Sequence, residues 1–292
     1  MKSLKKHIRV NPLLGIPAIV FCIMSMLFPL AAAAADSDEE PVVAAAADSN
    51  EELAKKLANP IASLISVPLQ YNFDNHYGPN DEGYVHRLTI QPVIPFALND
   101  NWNIITRTIV PLLSQHDVPI RGMNDSGLGD ITASQFFSPK QPTAGGWIWG
   151  VGLVELLPTA SHATLGGEQW GLGPTGVLLR QSGPWTVGLL ANHIWSFGVN
   201  DRASISATFV QPFVSYIFTK TKTTVGVNTE STYDWQDSQW SVPVIAQVSQ
   251  LLKIGPLIFQ LSLGAKYWAF SPDDGPENWG LRAQLTFLFP KK

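Results

Sequence analysis

The chain has 292 residues, 19 basic and 23 acidic, with 45% hydrophobic, 10% aromatic and only 14% charged residues and a single cysteine. That balance is unusual for a soluble exported protein, and the surplus of acid argues against nucleic acid as a partner. Cys22, the one cysteine, lies among apolar residues near the N-terminus, which leaves the rest of the chain without disulfide or thiol chemistry.

Lys2, Lys5, Lys6 and Arg9 precede an apolar stretch from Pro12 to Leu30, and Ala31 to Ala35 follow as small residues suited to cleavage. This order is that of a secretory signal peptide, expected over 1–35. A membrane anchor is the alternative, but Pro17 and Pro29 interrupt the stretch and favour processing. Cleavage leaves 15 basic against 23 acidic residues, a formal net charge near −8. No later segment reaches the ~18 to 20 apolar residues of a spanning helix.

Residues 36–60 divide into an acidic, alanine-rich spacer, Asp36 to Ala47, and a short helix that begins near Ser49 and ends before Asn59-Pro60. Leu53, Ala54, Leu57 and Ala58 share one face of that helix. It is expected either to plug a barrel mouth or to lie at the periplasmic rim, with a plain periplasmic tail as the alternative.

From Ile65 the period changes to two. In Ile65-Ser66-Val67-Pro68-Leu69-Gln70-Tyr71-Asn72-Phe73 apolar residues hold one parity and Ser, Pro, Gln and Asn the other, so one face meets lipid and the other water. The alternation recurs at Leu88 to Gln91, Trp240 to Val244, Leu257 to Leu263 and Trp279 to Phe289. About twelve strands fit between the turn signals, an even number as in bacterial single-chain barrels. The fold class expected for 61–292 is therefore all-β, an antiparallel transmembrane β-barrel.

Connections alternate in length. Ala97 to Asn101, Gln181 to Pro184, Lys220 to Lys222 and Leu252 to Gly255 are short, whereas Asp74 to Gly83, Ser114 to Gly127, Thr159 to Gly167, Gly198 to Ser204 and Ser271 to Asn278 are longer. Short periplasmic turns and long outer loops produce this asymmetry. Of the ten tryptophans, Trp102, Trp185, Trp235, Trp240 and Trp279 fall near strand ends, where aromatic girdles sit.

Parity assigns Gln70, Asn72, Arg87, Gln91, Arg107, Glu230, Lys266, Arg282 and Gln284 to the lumen. The warrant is cost, since a Lys or Arg on the lipid face near the midplane costs ~2 to 4 kcal/mol. Charges of both signs there either brace the wall or sort solutes. Glu155 shares parity with Trp147 and Trp149, which calls for a bulge or for a different parity at that strand.

Asn192, His193 and Ser196 invite an enzymatic reading as a barrel lipid hydrolase. Residues three apart on a strand point to opposite faces, so His193 and Ser196 do not form a nucleophile and base unless a bulge realigns them. No metal spacing joins His76, His86, His116, His162 and His193, and no cofactor or metal is expected. Gly150-Val151-Gly152 and Gly171-Leu172-Gly173 lie in strand patterns, where glycine is expected to make room in the lumen.

Leu156-Leu157-Pro158-Thr159-Ala160, Trp170-Gly171-Leu172-Gly173-Pro174, Asn192-His193-Ile194-Trp195-Ser196 and Ser231-Thr232-Tyr233-Asp234-Trp235 carry a more specific likeness. So do Ser126-Gly127-Leu128-Gly129-Asp130-Ile131, Trp279-Gly280-Leu281-Arg282 and Leu288-Phe289-Pro290-Lys291. With these the chain, from Glu52 to its end, resembles the outer-membrane transporter family named for the meta-pathway of phenol degradation. It has Glu168-Gln169-Trp170 where many members of that family carry a Lys ahead of the first Trp of the central motif. The resemblance implies a barrel that passes small compounds, hydrophobic or aromatic ones included, in the outer membrane of a Gram-negative bacterium. The partners expected are outer-membrane lipids, the barrel-assembly machinery and small-molecule solutes. A plugged structural or surface-interaction barrel is the alternative.

Overall fold

The computed structural model describes residues 50–197 and 203–290. The signal segment, the acidic spacer and most of the loop expected at Gly198 to Ser204 lie outside the described residues.

One helix, α1 (Asn50–Leu57), precedes the strands. The strands are β1 (Ile65–Tyr77), β2 (Gly83–Ile90, resumed as Val93–Ala97), β3 (Trp102–His116), β4 (Asn124–Leu128, resumed as Ile131–Pro139), β5 (Trp147–Leu157) and β6 (Trp170–Ser182). They continue as β7 (Trp185–Phe197), β8 (Ser206–Phe218), β9 (Thr223–Thr229, resumed as Ser231–Asp234), β10 (Gln239–Ile254), β11 (Leu257–Phe270) and β12 (Asn278–Phe289). Each pairs antiparallel with the next, and β12 pairs with β1 from Ile65↔Phe289 to Phe73↔Leu281, which closes a twelve-stranded barrel and leaves no sheet edge.

The interruptions in β2, β4 and β9 are of two kinds. Ile90↔Val110 and Val93↔Arg107 keep one register across Gln91-Pro92, so β2 is a single strand. In β4 the register moves by one residue between Leu128↔Leu112 and Thr132↔Ile109. The extra residue at Gly129-Asp130 is a bulge. A second register shift pairs Val242 with Phe270 and Pro243 with Trp268, so the extra residue is Ala269 of β11, opposite a proline that has no N–H to give the ladder. The alternation expected over Trp240 to Val244 continues through it, with Trp240 and Val244 outward and Pro243 buried.

Alternation along each strand produces two unlike faces. In β11, Leu257, Leu261, Leu263 and Tyr267 are exposed on the outside, while Gln260, Ser262 and Lys266 are buried inside. In β12 the exposed Trp279 and Leu281 alternate with the buried Arg282, Thr286 and Leu288. Trp147 and Trp185 mark one end of the outer surface, and Trp170, Trp195, Trp235, Trp240 and Trp279 the other. Trp268 departs from this pattern and points inward.

The expected short turns are found at 98–101, 183–184, 219–222 and 255–256, and the structure adds a fifth connection at that end, 140–146. At the opposite end the connections run over 78–82, 117–123, 158–169, 235–238 and 271–277. The four-residue turn at 235–238 breaks the simple rule of long outer loops. Its shortness follows from β9 and β10 pairing up to Asp234↔Gln239.

Gly150 makes room in the lumen as expected, since a Cβ there would lie 3.2 Å from Ile61 Cδ1, but Gly152 and Gly173 serve another purpose. A Cβ on Gly152 would lie 1.7 Å from the carbonyl oxygen of Gln135, and one on Gly173 1.6 Å from that of His193. The obstacle is the backbone of the adjoining strand, so these glycines permit sharp coiling of the wall and do not widen the lumen.

Candidate functional site

The segment 50–64 occupies the short-turn end of the lumen. Leu53 and Ala54 are buried, and Leu53 packs with Ala62 and Leu64 against Leu251 and Leu288 from the inward faces of β10 and β12. Ile61 joins Ile105, Phe136, Val177, Leu179 and Leu190 on the apolar wall of β3 to β7. Two polar contacts fix the segment further: Gln181 Nε2 donates to the carbonyl of Lys55 at 2.8 Å, and Asn103 Nδ2 donates to Ser63 Oγ at 2.8 Å.

Above this segment lies a chamber of about 230 Å³. Of the nine residues that parity assigned to the lumen, Gln70, Gln91, Arg107, Glu230, Arg282 and Gln284 line it. Asn72 is buried behind the chamber wall, where its Oδ1 accepts from Arg282 Nε at 2.8 Å. Lys266 lies further toward the long-loop end, paired with Asp74 at 2.8 Å. Arg87 shares the inward parity of Val85 and Thr89 but is exposed and outside the chamber.

Two chords cross the barrel interior. Arg282 on β12 reaches Glu230 on β9 as a two-point fork, Nη1 to Oε1 at 2.7 Å and Nη2 to Oε2 at 2.8 Å, spanning β10 and β11. This geometry suits a planar guanidinium better than an ammonium. Asp74 on β1 accepts from Lys266 Nζ at 2.8 Å and from Trp268 Nε1 at 2.9 Å, both on β11. Gly280 on the intervening strand makes this possible, since a Cβ there would stand 2.7 Å from Asp74 Oδ1. The inward turn of Trp268 is thereby explained.

Arg107, which is half-buried, differs from the two buried cations. Its Nη2 donates to Gln91 Oε1 at 2.8 Å, and among the described residues it contacts no carboxylate. Gln91 is itself held, with Nε2 donating to Thr89 Oγ1 at 2.7 Å. Ser215 Oγ, Thr224 Oγ1 and Asn228 Oδ1 are buried on the same chamber and have no hydrogen-bond partner.

At the long-loop end, 158–169 folds inward over the barrel. Asp130, from the β4 bulge, accepts from the backbone N–H of Ala160 at 3.0 Å and of Gly167 at 2.7 Å. Leu165 packs with Val85, Leu113 and Val118.

Several candidate residues lie away from the lumen. Glu155 is on the outward face with Val151 and Leu153, and the register of β5 with both neighbours is unbroken. Neither a bulge nor a change of parity accounts for it; it lies two residues from the long-loop end of its strand, where a carboxylate reaches interfacial water. His193 also faces outward, its Nδ1 2.7 Å from Thr208 Oγ1, and Thr208 accepts from Trp235 Nε1 at 2.8 Å. Ser196 faces the other way and accepts from the N–H of Ile205 at 2.7 Å. The two are not brought together as nucleophile and base.

Parity reasoning missed Asp74, Gln211, Asn228 and Trp268. Asp74 was assigned to a loop, although it continues the parity of Gln70 and Asn72 in a strand that runs to Tyr77. Gln211 alternates with outward apolar residues in β8, the signal that would have found it.

The chain matches no known protein-family model and no curated protein sequence. Solved structures do match. An outer-membrane channel from Pseudomonas putida F1 superposes with a TM-score of 0.62 at 15% identity, over 78% of this chain and 96% of that one. The fold is that of an outer-membrane β-barrel. The NanC porin gives a TM-score of 0.47 at 11% identity over 78% of this chain and all of its own (100%). A Salmonella typhi outer membrane phospholipase dimer with bound calcium gives 0.44 at 10% identity over 83% of this chain and 98% of that one. The likeness to the Pseudomonas putida channel speaks for the fold alone, and the resemblance to the phenol meta-pathway transporters rests on the motifs quoted above.

Proposed function

We propose that the protein is a narrow outer-membrane channel through which small solutes pass without energy input, with segment 50–64 standing in the path. The supporting observation is the interior itself: charged and amide side chains surround a chamber with unpartnered polar atoms, where a purely structural barrel would bring apolar side chains into contact. Lipids contact the outward apolar face, the barrel-assembly machinery inserts it, and the signal segment is removed on export. The solutes are small, hydrophobic or aromatic compounds among them.

A second reading, a barrel sealed by its N-terminal segment, draws on the burial of Leu53 and Ile61 in the mouth. The lipid-hydrolase alternative finds no support in the opposed faces of His193 and Ser196. Liposome swelling with the purified full-length protein separates the first two. Small neutral and charged solutes should enter faster than in protein-free liposomes, with larger sugars excluded. Swelling no faster than the control for every solute would favour the sealed barrel.

A further inference from the structure

The chamber between segment 50–64 and the Arg282–Glu230 fork has a chemistry of its own. Its volume of about 230 Å³ is enough for one small organic molecule. The only carboxylate lining it among the described residues is Glu230, already held at two points by Arg282. Arg107 faces the same space, has no carboxylate partner among the described residues and is oriented by Gln91. The surplus charge is therefore positive. Among the described residues the Arg107 guanidinium has N–H donors that the protein does not use, and such a group is suited to a carboxylate. Phe213, Val93, Leu57 and Leu64 supply apolar lining.

We propose that this chamber is a binding site for a small organic anion with an apolar body, its carboxylate held by Arg107 and its body against the apolar lining. The inference rests on the channel reading for the route by which the anion arrives, but the site can be tested without flux. A cation would meet Arg107 and Arg282 and find no free carboxylate. A small inorganic anion would use the guanidinium and leave the apolar lining wet.

The test is calorimetric binding to the folded, full-length protein in detergent, with benzoate, its neutral analogue benzamide, acetate and benzylammonium as probes. Benzoate should bind about tenfold more tightly than each of the other three, the scale of one charge-assisted contact added to apolar burial. Arg107→Gln should reduce the preference for benzoate over benzamide to about threefold or less, whereas Arg107→Lys, which keeps the charge, should retain most of it. Heat-modifiable gel migration checks that each variant is folded. Equal binding of benzoate and benzamide, equal binding of benzoate and acetate, a preference for benzylammonium, or an undiminished preference in Arg107→Gln would each overturn the proposal. A protein that discriminates benzoate in detergent but passes no solute in liposomes contradicts the channel and leaves the site. One that passes solutes without discriminating contradicts the site and leaves the channel.

Discussion

Replacing Arg282 with methionine should lower the unfolding free energy of the barrel by about 3 kcal/mol, the low end of the ~3 to 5 kcal/mol expected when one partner of a buried ion pair is removed. Arg282 is 4% exposed and binds both Glu230 and Asn72, so its loss leaves a carboxylate and an amide oxygen without donors. The cost stays at the low end because Glu230 is 28% exposed to the chamber and can regain water. Glu230→Gln should cost less, since the guanidinium keeps Asn72 and can still donate to the new amide oxygen. The double variant Arg282→Met/Glu230→Gln should recover part of the loss, because no unpaired charge then remains. Urea titration of the protein refolded in lipid vesicles measures all three. A single-variant cost below about 1 kcal/mol would mean that the fork is no more than a solvated pair.

Deleting residues 36–63 behind the signal should raise single-channel conductance several-fold. The deletion removes Leu53, Ala54, Ile61 and Ala62 from the mouth, together with the contacts of Lys55 to Gln181 and of Ser63 to Asn103. It also uncovers Ile105, Leu179 and Leu190, so the barrel should be less stable. Each apolar side chain taken out of its packing forfeits ~1.5 to 3 kcal/mol. Conductance identical to that of the full-length protein would show that the segment does not limit the path.

The barrel was legible in the sequence because a closed sheet between lipid and water forces alternation on every strand, and β1, β11 and β12 display it residue by residue. The short helix was legible from Leu53, Ala54 and Leu57 on one face, but its place in the lumen was not. The partners that hold it, Gln181 and Leu251, are more than a hundred residues away and carry no local signal. The lumen charges were legible as inward residues, and their pairing was not. Arg282 could have met any acid on the inner wall, and its choice of Glu230 across two strands depends on barrel radius and strand stagger. Glycines misled for a related reason: what Gly152 and Gly173 avoid is a carbonyl on the adjoining strand, which only the register reveals. Glu155 shows that parity can be read correctly and still be mistrusted, since the cost of an outward charge depends on depth and falls to ~0 to 1 kcal/mol near an interface.

The proposed solute path runs through the chamber bounded by Arg282 and segment 50–64. Gln284 lines that chamber, and the only native cysteine, Cys22, lies in the stretch expected to be removed on export. Single-channel current through Gln284→Cys, recorded before and after a membrane-impermeant methanethiosulfonate reagent, tests the path directly. The current should fall by about half or more as the added group narrows the lumen, and a cysteine at the outward Leu263 should leave it unchanged. Full modification of residue 284 with an unaltered current, or no current from the folded protein at all, would contradict the account.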